Sequence, residues 1–378
     1  MIIGVPREVK NQEYRVAIVP RGVRELVKCG HRIIVERAAG EGSGISDKEY
    51  IHEGAEIAES PESVYKAEMV VKVKEPLPQE YHYLYEGQIL FSYLHLASSL
   101  ELTTAMLNQK VIAIAYEVVQ LENGYAPLNA PMSEIAGRLS VQVGAHYLQK
   151  DNGGSGVLLG RVPGVSPANV AIIGAGTVGA SAAKTALGMG ASVTVLDIDV
   201  DKLRQLSEIS NGALTTLVAN EGSIEDTVVN ADLVVGAVLI PGAAAPKVVT
   251  RNMISRMRQG SVIVDVAIDQ GGCIETSHPT DFDHPVFTLD GVTHCCIANM
   301  PAAVARTSTL ALTNATFPYV RRLANLGYEE AIASSRSLLK GVNLFKGNVT
   351  CKAVADSLGL EYISIEALGI GRRNRSQK

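Results

Sequence analysis

Tryptophan is absent from this 378-residue chain, only 5 % of its residues are aromatic, and only five are cysteine. So few cysteines at irregular spacings exclude a disulfide-built fold and point to a reducing compartment. The opening MIIGVPREVKNQEYR lacks the basic, apolar and small-residue order of a secretory signal, so the cytoplasm is the expected location. No apolar run reaches the ~18–20 residues that a membrane-crossing helix needs. Excess charge of one sign is missing as well: 34 basic against 39 acidic residues leave a formal charge of −5. That balance gives nucleic acid or an anionic membrane no general attraction. HExxH, GK[ST], GxSxG and CxxC are all absent, which removes the metal, phosphate-loop, serine-hydrolase and dithiol chemistries they carry, and no metal is expected.

What is present is apolar and light. Hydrophobic residues make up 47 % and glycine supplies 35 positions, a composition suited to strands buried on both faces by helices. The length exceeds what one hydrophobic core usually serves, so two domains are expected. In the first 130 residues, strand-like runs (IIGV, RIIVE, EMVVKVKEP at 68–76, QILFSYLHL at 88–96, VIAIAYEVV) alternate with helix-like segments, the pattern of a parallel sheet. PMSEIAGRLSVQVGAHYLQK reads as a connecting helix, and a second α/β unit follows from Asn169 to about Asn299. The last 79 residues read as helix and loop, with a kink or a short break expected at Pro318, and are expected to return to the first unit. The expected fold is α/β: two Rossmann-like, doubly wound parallel-sheet domains with a cleft between them, the first discontinuous.

The most specific signal is ANVAIIGAGTVGASAAKTALGMGASVTVLDID. A strand feeds Gly174, Gly176 and Gly179 in GxGxxG spacing, a helix follows, and the next strand ends at Asp197, 23 residues past Gly174. The glycines allow the tight turn, the close approach of a pyrophosphate and the helix–strand contact. The helix N-terminus holds the phosphates. Asp197 is expected on the adenosine ribose, and its charge, with no arginine directly after it, favours NAD over NADP. Leu239 and Ile268 follow two later strands and are expected to pack on the cofactor. Asp269 would lie at the same cleft, unless it is a capping residue.

Lys74 and His95 fall at carboxyl ends of first-unit strands, where parallel sheets build sites, and Arg15, after a polar loop that follows the first strand, is placed to reach the same edge. Arginine and lysine can clamp a small carboxylate, and histidine suits proton transfer near neutrality. Each has a second reading, as an ion-pair partner, a charge blunting a strand end, or a satisfied core histidine. Cys295 and Cys296 read as buried filling, and the terminal GRRNRSQK as a frayed tail.

The segments GVPREVKNQEYRVAIVP, VKVKEP, FSYLHLA, APMSEIAGR, GAGTVG, GAVLIPGAAAPK, DQGGC, ANMPA and TSTLALTNATFPY resemble, in order and over essentially the whole chain, the alanine dehydrogenases. The related alpha subunit of membrane nicotinamide nucleotide transhydrogenase shares the outline. The resemblance implies reversible conversion of L-alanine, water and NAD to pyruvate, ammonium and NADH. It also implies a homohexamer, a substrate domain of residues 1–129 plus 305–378, and an NAD domain of residues 130–304. It makes His95 and Asp269 catalytic, and Arg15, Lys74 and Asn299 substrate-binding. Ser133, Gly174, Gly176, Thr177, Val178, Gly179, Asp197, Leu239, Ile268, Asp269, Asn299 and Met300 would contact the cofactor.

Overall fold

The computed structural model describes residues 1–238 and 245–370. The chain divides into two compact units, one of residues 1–132 and 302–378, the other of residues 133–301. In the first, six parallel strands follow one another: β1 (Ile2–Val5), β2 (Arg32–Glu36), β3 (Glu56–Ala58), β4 (Met69–Val71), β5 (Ile89–Ser92) and β6 (Ile112–Ala115). They lie side by side as 3-2-1-4-5-6, so the winding direction reverses between β1 and β4. Two strands of the C-terminal segment, Val342–Phe345 and Asn348–Val349, extend the β6 edge in antiparallel sense. Side chains alternate between two apolar layers: Ile89, Phe91, Ile112 and Ile114 join one, while Leu90, Ala113 and Ala115 join the other. A sheet covered on both faces therefore needs the continuous apolar runs seen in the sequence.

The second unit repeats the plan with β7 (Asn169–Ile173), β8 (Ser192–Asp197), β9 (Thr215–Val218), β10 (Leu233–Gly236), β11 (Val262–Asp265), β12 (Val286–Leu289) and β13 (Val292–Cys295). Its parallel strands run β9-β8-β7-β10-β11-β13, again 3-2-1-4-5-6, with β12 antiparallel at the edge. Asp290 and Gly291, both at positive φ, form the two-residue turn that joins β12 to β13. Val170 and Ile172 pack into one layer, Ala171 and Ile173 into the other. The helix Ala130–Tyr147 leads from the first unit into the second.

Two strands are shorter than their apolar runs predict. β4 stops at Val71 because the next free backbone donor, Val73 N–H, is taken by the Glu8 carboxylate at 2.6 Å. β5 stops at Ser92, and the N–H groups of Leu94 and His95 turn to Glu117 instead of a neighbouring strand. His95 itself is left-handed at φ 49°, so it belongs to a turn beyond the strand and not to its end.

The expected break at Pro318 is also displaced. The helix Ala305–Ala333 runs through Pro318, flanked by buried Leu312, Thr316, Val320 and Leu323, and is interrupted at Gly327 (φ 73°, ψ 165°). Packing on both sides of the proline keeps the helix unbroken there despite one lost hydrogen bond. Gly327 adopts a conformation that essentially only glycine tolerates. Gly327→Ala is therefore expected to lower the unfolding free energy by about 1–3 kcal/mol, read by urea denaturation, and Pro318→Ala to lower it by less. Equal losses would contradict this account of the break.

Candidate active site

The reversal point of the first sheet gathers charge. β1 releases a polar loop that carries Glu8, Glu13 and Arg15, and its neighbour β4 releases Lys72 and Lys74. Arg15 is 2 % exposed, and the Glu13 carboxylate accepts from its Nε at 2.7 Å and its Nη2 at 2.6 Å. Its Nη1 lies 3.1 Å from Met132 Sδ. Burial pulls the guanidinium down, but the bonds and charge of Glu13 outweigh that and hold Arg15 fully cationic. The following residue is pinned to the helix Ala305–Ala333: Val16 N–H donates to Thr309 Oγ1 at 3.1 Å.

Lys72 is wholly buried between two carboxylates, 2.8 Å from Glu80 and 3.3 Å from Glu8. Desolvation lowers its pKa, yet Glu8, Tyr65 and Glu80 together raise it further, so it stays an ammonium ion. Lys72 is thus structural. Lys74, two residues on, is half-buried, and its backbone N–H lies 3.4 Å from Glu8 Oε1.

His95 follows the next strand, β5, with its side chain exposed. Glu117 Oε1, just past β6, accepts its N–H at 2.6 Å, and Ser98 Oγ donates to its carbonyl at 2.7 Å. Its ring lies parallel to Tyr93, 6.0 Å between centroids and 7° between planes, and Tyr93 is anchored by its hydroxyl to Leu128 O at 2.6 Å. Arg15, Lys74 and His95 therefore follow three adjacent strands of one sheet, as their sequence positions predict.

In the second unit the glycine turn lies at the equivalent reversal point. Gly174 has φ 109°, and a Cβ there would stand 2.6 Å from Ala237 O. A Cβ on Gly179 would stand 1.8 Å from Gly174 O, so helix and strand meet with no room for a side chain. Gly176 is different: nothing lies within 4 Å of a Cβ built there. The helix Thr177–Gly188 begins at this open position with no side-chain cap on its N-terminus, Thr177 exposed and Val178 half-buried. Asp197 ends β8, its carboxylate accepting from Ala175 N–H at 2.5 Å and Asp199 N–H at 2.8 Å. Ile198 after it is 81 % exposed, and Lys202 pairs with Asp199.

β11 ends at Asp265, a fully buried carboxylate that the sequence reading passed over in favour of Asp269. Burial pushes its carboxyl above the usual range, partly offset by the N–H groups of Cys273, Ile274 and Ala267. Asp269 lies four residues later, exposed, in a short helical turn, Val266–Gln270. Ile268 is buried beside it, Met300 is buried, and Ser133 and Asn299 are half-buried, Asn299 at φ 63°. Leu239 and the basic tail from residue 371 lie outside the described residues. Among the described residues no cluster of His, Cys, Asp or Glu suits a metal, and no helix is long and apolar enough to cross a membrane. Glu8, Glu13, Glu117 and Asp265 were all missed. Only Asp265 left a trace, as one charge inside the apolar run SVIVDVAI.

Two family models match the chain: Alanine dehydrogenase/PNT, N-terminal domain, over residues 4–136, and Alanine dehydrogenase/PNT, C-terminal domain, over residues 140–352. An alanine dehydrogenase of Methanococcus maripaludis is 54 % identical over 368 residues, covering 97 % of this chain and 99 % of the relative. One of Staphylococcus haemolyticus is 53 % identical over 367 residues, covering 97 % and 98 %. Among solved structures, an L-alanine dehydrogenase superposes with a TM-score of 0.93 at 48 % identity, covering 95 % of this chain and 99 % of that one.

Two glycines of the turn, Gly176 and Gly179, are expected to separate by experiment. Gly179→Ala forces two backbones apart and is expected to cost about 1–3 kcal/mol of stability. Gly176→Ala is expected to leave the melting temperature within about 2 °C, a shift worth less than about 1 kcal/mol, while weakening dinucleotide binding in a fluorescence titration. Dinucleotide affinity that survives Gly176→Ala intact would remove the open position from the binding site.

Proposed function

This chain belongs to the alanine dehydrogenase/PNT family, and from that premise we propose that it is an NAD-dependent L-alanine dehydrogenase, reversibly converting L-alanine, water and NAD to pyruvate, ammonium and NADH. One observation carries the chemistry: the two cations Arg15 and Lys74 and the imidazole of His95 follow three adjacent strands at the reversal point of one sheet. Residues 1–132 and 302–378 are the substrate domain in this reading, and residues 133–301 the NAD domain.

The residues present suit the cofactor. The Gly176 position is open where a pyrophosphate would rest, the uncapped N-terminus of Thr177–Gly188 offers it backbone N–H groups, and Asp197 is available to the ribose hydroxyls. Thr177, Val178, Ser133, Leu239, Ile268 and Met300 are proposed to line the same site. NAD, when bound, accepts the hydride from Cα of alanine.

Arg15 and Lys74 hold the substrate carboxylate, Arg15 with its guanidinium already oriented by Glu13. Asn299 is proposed to bind substrate and cofactor. Once the substrate ammonium has given a proton to solvent, loss of hydride from Cα leaves an iminium ion, and the Asp269 carboxylate stabilises that positive charge. His95 takes the proton from water as it adds to the iminium carbon, returns it to the amine of the carbinolamine, and takes the hydroxyl proton as ammonia leaves and the carbonyl forms. The grip of Glu117 and Ser98 on the His95 backbone fixes the point from which the imidazole projects, and the Tyr93 ring lies parallel to it. The proposal extends to a homohexamer in the cytoplasm.

Reduction of NAD followed at 340 nm across a panel of amino acids tests the activity, with alanine expected to be the preferred substrate. In the reverse direction NADH oxidation by pyruvate is expected to require ammonium, and turnover without ammonium would make the protein a hydroxy-acid dehydrogenase instead. His95→Ala is expected to lower kcat by ~10²-fold or more with NADH affinity preserved.

Asp197→Ala removes a charged acceptor at the ribose, an expected loss of ~1.5–3 kcal/mol, or roughly 10- to 150-fold in NAD affinity. The kcat/KM ratio of NADP to NAD is expected to rise, and to rise further when Ile198→Arg is added beside it to pair with the 2′-phosphate. An unchanged ratio in both variants would place the ribose elsewhere.

A further inference from the structure

We propose that Asp265 is a positioning residue for Asp269: its buried carboxylate fixes the backbone loop on which Asp269 is carried, and so fixes the aim of the Asp269 side chain. This rests on the reading of Asp269 as the group that stabilises the iminium ion. Asp265 is fully buried as the last residue of β11. Its Oδ1 accepts from Ala267 N–H at 3.2 Å and Cys273 N–H at 3.5 Å, and its Oδ2 from Ile274 N–H at 3.2 Å. One carboxylate thus gathers the beginning and the end of the segment 267–274, with Asp269 inside it.

The surroundings are shaped to this carboxylate. The loop reverses through Gly271 (φ 87°) and Gly272 (φ 74°). A Cβ on Gly272 would stand 2.6 Å from Asp265 Oδ2, and one on Gly236 of the neighbouring strand 2.9 Å from Oδ1. An amide in place of the carboxylate has a single acceptor oxygen, and its NH2 would face N–H donors. A second clasp closes the loop from outside: Lys247 Nζ donates to the carbonyls of Gly271 and Ile274, the latter at 3.1 Å, and Ala245 N–H donates to Gln270 O at 3.0 Å. Asp265 also caps the short turn Val266–Gln270 through Ala267 N–H, and with Lys247 it closes the loop from both sides. That closure suits a loop carrying a charge that must not wander.

A double-mutant cycle separates positioning from simple support of the fold. Asp265→Asn, Asp269→Asn and the double variant would be compared by kcat and alanine KM, with NADH affinity by fluorescence titration. Asp265→Asn is expected to lower kcat by about tenfold or more while NADH affinity changes by less than about threefold. In the Asp269→Asn background the same substitution is expected to change kcat by less than about twofold, because the group it aims is gone. Lys247→Met, an exposed change on the second clasp, is expected to repeat the pattern at smaller amplitude, and serves if Asp265→Asn fails to fold. Losses that multiply in the double variants, or NADH affinity falling as far as kcat, would overturn the proposal and leave Asp265 a fold residue. If Asp269→Asn alone keeps full kcat, the role of Asp269 falls first, and the positioning role falls with it.

Discussion

Where parallel strands end, their last backbone N–H groups have no strand to bond, and in this protein carboxylates take them. Glu8 binds the N–H of Val73, Glu117 those of Leu94 and His95, Asp197 that of Ala175, and Asp265 those of Ala267, Cys273 and Ile274. Bonds of this charged kind are each worth about 1.5–3 kcal/mol. Glu8, Glu117 and Asp197 each reach from one strand to the loop after its neighbour, and Asp265 holds the loop that follows its own strand, so the loops that carry Lys74, His95, the glycine turn and Asp269 are all tied to their sheets by carboxylates.

The same device sets the electrostatics of the first unit. Lys72 is enclosed by Glu8 and Glu80, and Arg15 is held by Glu13, so each buried cation has an anionic partner. Removing one member of such a pair strands the other and typically costs about 3–5 kcal/mol. Glu8 belongs to both roles at once. It neutralises a buried lysine with one oxygen and fixes the backbone before Lys74 with the other, so the stability of the sheet and the geometry of the candidate clamp depend on one side chain.

Much of this was legible in the sequence. Apolar runs ending in Gly, Pro or charge gave the strands, and the glycine spacing gave the tight turn between β7 and the helix Thr177–Gly188, because local rules govern both. Lys74 and His95 were visible as ionisable residues in apolar runs, and Arg15 as a cation at the end of a polar loop between two such runs. The true strand ends were not: they depend on Glu8, 65 residues before Val73, and on Glu117, 22 residues after His95. Acceptors of backbone N–H groups leave no pairing signature, since every residue but proline has the donor. This is why Glu8, Glu117 and Asp265 escaped notice while the residues they hold did not. Pro318 failed in the opposite way, a strong local rule overridden by the packing of a long buried helix.

The strand Val342–Phe345, which pairs with β6, gives the first unit an unusual birth. Its partner, β6, leaves the ribosome more than 200 residues earlier and must wait, at about 5–20 residues per second, for some ten to fifty seconds. The second unit, continuous in sequence from 133 to 301, is complete before that strand exists. During this interval β6 displays an open row of peptide donors and acceptors beside a wholly apolar strand, a natural template for misplaced pairing. Nascent chains therefore pass through a stage in which the finished half of the protein is the later-starting half, and the earlier half is the one that needs shelter.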